Sequence, residues 1–196
     1  MYISKKEKFL IQRDKKFEKI INKNGHIVFK KDVNQFNSLV EIVISQFIST
    51  KASNSIISRI KRNFNTDKLN EKHFESLSIN DIKKLGLSKN KAKSINELTK
   101  FFLNNENMNL KTLDKKKLYE VLISIYGIGP WSINMFEIFS LGDLDVFSSK
   151  DAALRLAMNI EGMVKEDSSN VNYDQYALKW SPYRTVACLH LWKLVD

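Results

Sequence analysis

Apolar residues recur along this chain at three- and four-residue spacing. Phe36, Leu39, Val40, Val43 and Phe47 form one such series, and Ile56, Ile57, Ile60 and Phe64 form another. Each marks the buried face of an amphipathic helix. Ser78-Ile-Asn-Asp81 is a capping-box start, with Gly86 placed as a stop. Ser88 opens a helix through about Phe102, and Leu113 to Ile125 reads as another, striped by Leu118, Val121, Leu122 and Ile125. Pro130 suits a first helical turn and begins a helix to about Leu141. Ser148-Ser-Lys-Asp151 opens one to about Ile160, with Ser148-x-x-Asp151 itself readable as a capping box. Asn104–Asn109 and Glu161–Asn172 are polar and read as loops. Trp180-Ser-Pro182 separates a short helix from a last one carrying Val186, Leu189, Trp192 and Leu194. Only short candidate strands compete, such as His26–Lys30, so the fold class is all-α.

Composition supports that choice. Six Gly and two Pro in 196 residues are about a third of the usual share, too few for a many-turned β architecture. The length fits one domain or two small lobes. Lys+Arg number 32 against 22 Asp+Glu, a formal net charge of +10, the electrostatic footprint of a polyanion partner, of which nucleic acid is the commonest. Cys188 is the single cysteine, which excludes a disulfide framework, a cysteine-based zinc site and a cysteine-ligated iron–sulfur cluster. His26, His73 and His190 show no metal-ligand spacing. No apolar run approaches a membrane span, and Met1-Tyr-Ile-Ser-Lys-Lys-Glu-Lys lacks the apolar stretch of a secretory signal. The expectation is a protein that is not secreted and acts in the cytoplasm or nucleoid, or in a eukaryotic nucleus.

Chemistry concentrates after the Leu113–Ile125 segment. Tyr126-Gly-Ile-Gly129 joins two predicted helices. Glycines there permit a tight reversal and leave backbone N–H groups uncovered, and the next helix adds its own N-terminal N–H groups and dipole. That geometry suits a phosphate oxygen. It also suits a plain helix–helix turn.

Longer motifs extend the reading. Leu122-Ile-Ser-Ile-Tyr-Gly-Ile-Gly-Pro-Trp-Ser-Ile-Asn134, followed by Asp145-Val-Phe-Ser-Ser-Lys-Asp151, resembles the helix–hairpin–helix (HhH-GPD) DNA glycosylase superfamily. More narrowly it resembles the 3-methyladenine DNA glycosylase II branch. Val43-Ile-Ser-Gln-Phe-Ile-Ser-Thr-Lys-Ala52 is similar to that family's Q-Q-I/L-S-x-x-A helix end. Gly86-Leu-Ser-Lys-Asn-Lys is similar to its G-L-S-x-x-K segment, and Trp180-Ser-Pro-Tyr-Arg-Thr-Val-Ala187 with Leu191-Trp192 to its closing W-x-P-Y-R-S-x-A…L-W. The resemblance runs from about Asp14 to Lys193.

The resemblance implies a two-lobed helical fold with a DNA-binding cleft between the lobes. Residues 31–150 would form the lobe that carries the hairpin, and 1–30 with 151–196 a discontinuous second lobe. It implies a monomer that acts on double-stranded DNA containing damaged bases and flips the damaged nucleotide out of the stack. Asp151 matches the family's catalytic aspartate, a carboxylate that stabilises the oxocarbenium-like sugar or orients water. Trp131 and Trp192 match aromatic residues that line the base pocket, where a cationic alkylated purine is attracted to a ring face. Met135 stands at another pocket position. Phe47 matches the residue that wedges into the gap left by the flipped base, with Gln46 beside it as a second intercalating residue; the competing reading makes Phe47 the end of a core stripe. Gly127, Gly129 and Ser132 match the phosphate-binding hairpin.

Bifunctional relatives with lyase activity hold a Lys where Trp131 stands, so the implied enzyme is monofunctional. Lys150 reads as a phosphate or solvent lysine, and Arg184 as a structural ion-pair residue. No redox cofactor or catalytic metal is implied. A structural Na⁺ or K⁺ held by the backbone carbonyls of Ile123, Ile125 and Ile128 is. Departures from the pattern bear on substrate range. Ser-Ser-Lys precedes Asp151 where L-P-x is more usual, Met135 and Ala152 replace pocket tyrosines of some relatives, and Gln46-Phe47 replaces Gln-Gln. The expected reaction is hydrolysis of the N-glycosidic bond of alkylated purines of the 3-methyladenine and 7-methylguanine type, in base excision repair. The alternatives are a glycosylase for an oxidised purine or uracil, or a non-catalytic helix–hairpin–helix DNA-binding protein.

Overall fold

Short polar side chains start most of the helices. Ser4, Asn34, Ser49, Ser78, Ser88, Asp114 and Asp151 each accept the backbone N–H three residues on, which satisfies a donor the first helical turn leaves unpaired. In the computed structural model, which describes residues 2–195, this yields α1 (Lys5–Arg13), α2 (Lys16–Asn24), α3 (Gln35–Ser45), α4 (Thr50–Asn63), α5 (Ile79–Lys84) and α6 (Lys89–Asn104). They are followed by α7 (Lys115–Ile123), α8 (Pro130–Phe136), α9 (Ala152–Ile160), α10 (Asn170–Ala177) and α11 (Arg184–Val195). A π-helical turn, Glu137–Leu141, continues α8 to the expected end. No strand occurs among the described residues, and no described helix is long and apolar enough to cross a membrane.

The chain divides into two compact units, residues 31–141 and residues 1–30 with 142–196. In the first, α3 is buried along most of its length and packs against α4, α6 and α8, while α5 packs on α6. Phe36, Leu39, Val40, Val43, Ile60, Leu98 and Phe136 form its core. In the second, α11 packs on α9 and α2 around Leu10, Phe17, Ile20, Leu154, Met158, Trp180 and Leu191.

The boundary falls at Leu141 rather than at 150. The Thr185 N–H donates to Leu144 O at 2.9 Å, the Val146 N–H donates to Thr185 Oγ1 at 3.1 Å, and Arg184 grips Asp145. These bonds fasten 143–146 to α11. The candidate strand at His26–Lys30 does not form, in keeping with the all-α reading. Glu7, fully buried, takes the Ile27 N–H and the His26 ring at 3.2 and 2.9 Å, so a side chain replaces a strand partner there. The capping box expected at Ser148 is also absent: Asp151 itself caps α9, and Ser148 closes the turn before it by accepting the Asp151 N–H at 3.0 Å.

Candidate active site

The reversal between α7 and α8 is built around Gly127. Its φ is +83°, and a Cβ there would lie 1.9 Å from Ser94 Oγ on α6; both conditions select glycine. Gly129 is different. Its backbone is extended, nothing lies within 4 Å of a Cβ built on it, and it forms the uncapped N-terminus of α8. That end is open to an anion. Ile125 and Ile128 are buried beneath the turn. Tyr126 is half-exposed and carries the Lys93 ammonium 3.9 Å above its ring centroid, which holds a positive charge at the hairpin.

Two groups expected to bind ligands at the hairpin already have protein partners. Ser132 is 2% exposed and its hydroxyl accepts a hydrogen bond from Gln46 Nε2 at 2.9 Å, so that hydroxyl faces inward. Ile125 O, one of three carbonyls expected at a monovalent cation, accepts the Ile128 N–H at 3.1 Å. That bond uses one of the two lone pairs of the carbonyl. Among the described residues no group of three or more His, Cys, Asp or Glu side chains is arranged to hold a metal ion.

Phe47 follows α3 at φ +58° and is fully exposed, at 101% of its reference area. It lies outside the core stripe that its spacing suggested. Gln46 beside it donates its amide nitrogen to Gly127 O and to Ser132 Oγ, both at 2.9 Å. The amide faces the protein.

In the other unit, Asp151 is 7% exposed. Its Oδ1 accepts the Leu154 N–H at 2.8 Å and the Trp192 indole N–H at 3.1 Å. The α9 dipole favours negative charge at that end. The unusual Ser-Ser-Lys segment has its own supports. Ser149 Oγ donates to Asp174 Oδ2 at 2.9 Å, and Arg155 Nη1 donates to Ser149 O at 3.4 Å and to Asn170 Oδ1 at 3.1 Å. Nothing in the sequence pointed to Asp174 or Asn170, because the pairing depends on how α10 folds back. Lys150 is exposed. Cys188 is buried, and its burial, with the charge of Asp151, pushes its thiol pKa far up. It is inert.

Arg184 forms a fork on Asp145, with Nε 2.7 Å from Oδ1 and Nη2 3.0 Å from Oδ2, the ion-pair role expected. Its hydrogen bond holds the Asp145 carboxyl below the usual range despite partial burial. On α8, Trp131 is half-buried and Met135, one turn on, is buried. The structure thus joins Asp151 to Trp192, and Gln46 to Gly127 and Ser132, and it sets Trp131 and Met135 on one helix face.

The profile of the HhH-GPD superfamily base excision DNA repair proteins matches residues 40–182. The chain belongs to this family. Among HhH-GPD relatives it is 25% identical to the alkylbase DNA glycosidase-like protein mag2 of Schizosaccharomyces pombe, over 96% of this chain and 92% of that one. To DNA-3-methyladenine glycosylase 1 of the same yeast it is 28% identical, over 81% and 71%. A solved DNA-3-methyladenine glycosidase from Bacillus halodurans superposes with a TM-score of 0.74 at 27% identity, over 98% of this chain and 90% of that one. The S. pombe 3-methyladenine DNA glycosylase Mag1 in complex with abasic DNA, at 23% identity, shares the fold with a TM-score of 0.87 over 97% and 96%.

Proposed function

We propose that this HhH-GPD protein is a monofunctional DNA glycosylase that releases alkylated purines, of the 3-methyladenine and 7-methylguanine type, from double-stranded DNA. The observation that carries the reading is Asp151, a buried carboxylate at a helix N-terminus whose Oδ1 is oriented by two N–H donors. Its oxygens can stabilise positive charge as it develops on the sugar, which is where preorganised electrostatics count most. The C1′–N bond breaks with its electron pair passing to the cationic base, which departs neutral. The oxygen of water bonds to C1′ and the water proton is released.

The remaining assignments follow the same chemistry. Trp131 and Trp192 each offer an aromatic face that attracts a cationic purine, and Met135 adds a soft apolar surface. Gly127 and Gly129 leave the α8 N-terminus open to a DNA phosphate, and the fully exposed Phe47 fills the gap in the stack. The relatives named for 3-methyladenine and alkylbase DNA glycosylases support the substrate class. The deciding experiment is base release from alkylated duplex DNA by the wild type and by Asp151→Asn. Release by the wild type and its loss in the variant supports the reading. Release only from duplexes carrying an oxidised purine or uracil moves the substrate class, and specific DNA binding with no release from any lesion leaves a non-catalytic DNA-binding protein.

A further inference from the structure

We propose that Gln46 is a positioning residue that ties the hairpin to the wedge, so that the hairpin's grip on the DNA backbone sets how far Phe47 enters the duplex. The inference rests on the wedge role given to Phe47 above. Gln46 ends α3 and makes two hydrogen bonds through one amide nitrogen, to the Gly127 carbonyl and to the Ser132 hydroxyl, each at 2.9 Å. A primary amide has two N–H donors, and both are used on the turn and first helical turn that would face phosphate.

The acceptors are themselves fixed. Gly127 sits against Ser94 of α6 so closely that no side chain fits, and Ser132 is buried. From α6, Lys91 Nζ donates to Ile44 O at 2.7 Å, satisfying one of the carbonyls that the end of α3 leaves open. The backbone entering Phe47 is thus held from the α6 side at Ile44 and from the hairpin at Gln46. Ser49, capping α4 through the Ala52 N–H, fixes the chain on the far side. Between these anchors Phe47 stands in the left-handed region, a conformation a bulky residue keeps only when its surroundings over-determine it. Loss of the Gln46 bonds frees the turn to relax toward ordinary φ, which re-aims the ring.

The test compares Gln46→Ala, Gln46→Glu, Phe47→Ala and the double variant Gln46→Ala/Phe47→Ala in the full chain. Release of alkylated base is measured from fully paired duplex and from duplex with the lesion in a mismatch. A 2-aminopurine placed opposite an abasic site reports insertion of the ring, and a thermal melt reports stability. Gln46→Ala is expected to lose roughly ten- to a hundredfold on paired duplex, up to the cost of a contacting group misplaced by about 1 Å, and less than about twofold on the mismatch. It should also lose the 2-aminopurine signal with its melt within about 2 °C of the wild type. Gln46→Glu, which has no N–H to donate, should behave likewise, and the double variant should be no slower than Phe47→Ala. Equal losses on both substrates with a lowered melt, or losses that multiply in the double variant, would overturn the proposal. If Phe47→Ala shows no duplex-selective loss, the wedge reading fails first; if it does and Gln46→Ala does not, the coupling alone fails. Should Gln46→Ala not fold, Ser132→Ala removes one acceptor and spares the bond to Gly127. A smaller loss confined to paired duplex supports the coupling, and none overturns it.

Discussion

The Trp192 indole N–H donates to Asp151 Oδ1 at 3.1 Å, and the Leu154 backbone N–H donates to the same oxygen at 2.8 Å. One carboxylate oxygen therefore serves both the start of α9 and a side chain of α11. The family resemblance implies a place for Trp192 in the base pocket. The structure adds that it orients the carboxylate.

Trp192→Phe keeps an aromatic face and removes the N–H. A hydrogen bond to a charged group contributes about 1.5–3 kcal/mol, so single-turnover excision is expected to fall by roughly ten- to a hundredfold. Binding to abasic-site DNA should stay within a few-fold. Wild-type excision by this variant would show that the indole N–H does not matter to the carboxylate's work.

Asp151→Asn separates structure from chemistry. Asn caps helices about as well as Asp, and its carbonyl oxygen can still accept the Leu154 N–H. The melt should hold while excision is lost, because only the charge that matters in the transition state is gone. A variant that melts normally and excises at the wild-type rate removes Asp151 from the catalytic role.

Product DNA should keep an intact abasic site until alkali or an endonuclease cuts it. The reason is Trp131, where lyases hold the Lys that forms a Schiff base. The check is gel analysis of the untreated product together with borohydride trapping; nicked strands and a trapped covalent complex would contradict monofunctional hydrolysis.

Acid should unfold the protein through Glu7. Burial raises its pKa, but hydrogen bonds from the Ser4 N–H, His26 and the Ile27 N–H outweigh that and bring it from 4.5 to about 2. His190, fully buried with Nε2 at 3.2 Å from Glu7 Oε1, is shifted down by burial, which outweighs the attraction of Glu7. Both folded values lie below the unfolded ones, so both groups stabilise the fold at higher pH and lose that contribution as pH falls. For His190 the loss begins below 6.5; for Glu7 it spans 4.5 to about 2 and amounts to about 3 kcal/mol. Urea melts across that range should show the wild type losing its margin over Glu7→Gln as pH drops. A margin that is constant with pH would contradict the assignment.

Much of this was legible in the chain, for definite reasons. Ser78, Asp81 and Ser88 act at short range, so their caps and α5 and α6 follow from local chemistry. Gly127 and Pro130 mark the hairpin for the same reason. What sequence spacing could not show is long-range pairing. Phe47 continues the α3 stripe in period, yet the helix ends at Ser45 and the ring turns outward. Gln46 and Ser132 are 86 positions apart, and Ser149 finds Asp174 only through the return of α10. The Glu7–His190 bond spans 183 positions and looks, in the sequence, like two ordinary surface residues.

Phe47→Gly should move stability and activity in opposite directions. The ring at 101% exposure packs on nothing, so its removal leaves no cavity and the penalty of a core Phe truncation, about 3–5 kcal/mol, does not apply. The backbone at φ +58° is costly for Phe and free for Gly. Relief of left-handed strain is worth about 1 kcal/mol or more, offset in part by the greater freedom of Gly in the unfolded chain. The melt is therefore expected to hold or rise slightly. Excision from paired duplex should fall sharply, since no apolar group then replaces the lost stacking, while a mismatched lesion, already cheap to flip, should lose much less. Phe47→Ala, which keeps the strain and loses the ring, should match it in excision and melt lower. If both variants melt well below the wild type and lose activity on every substrate alike, Phe47 is a structural residue and not a wedge.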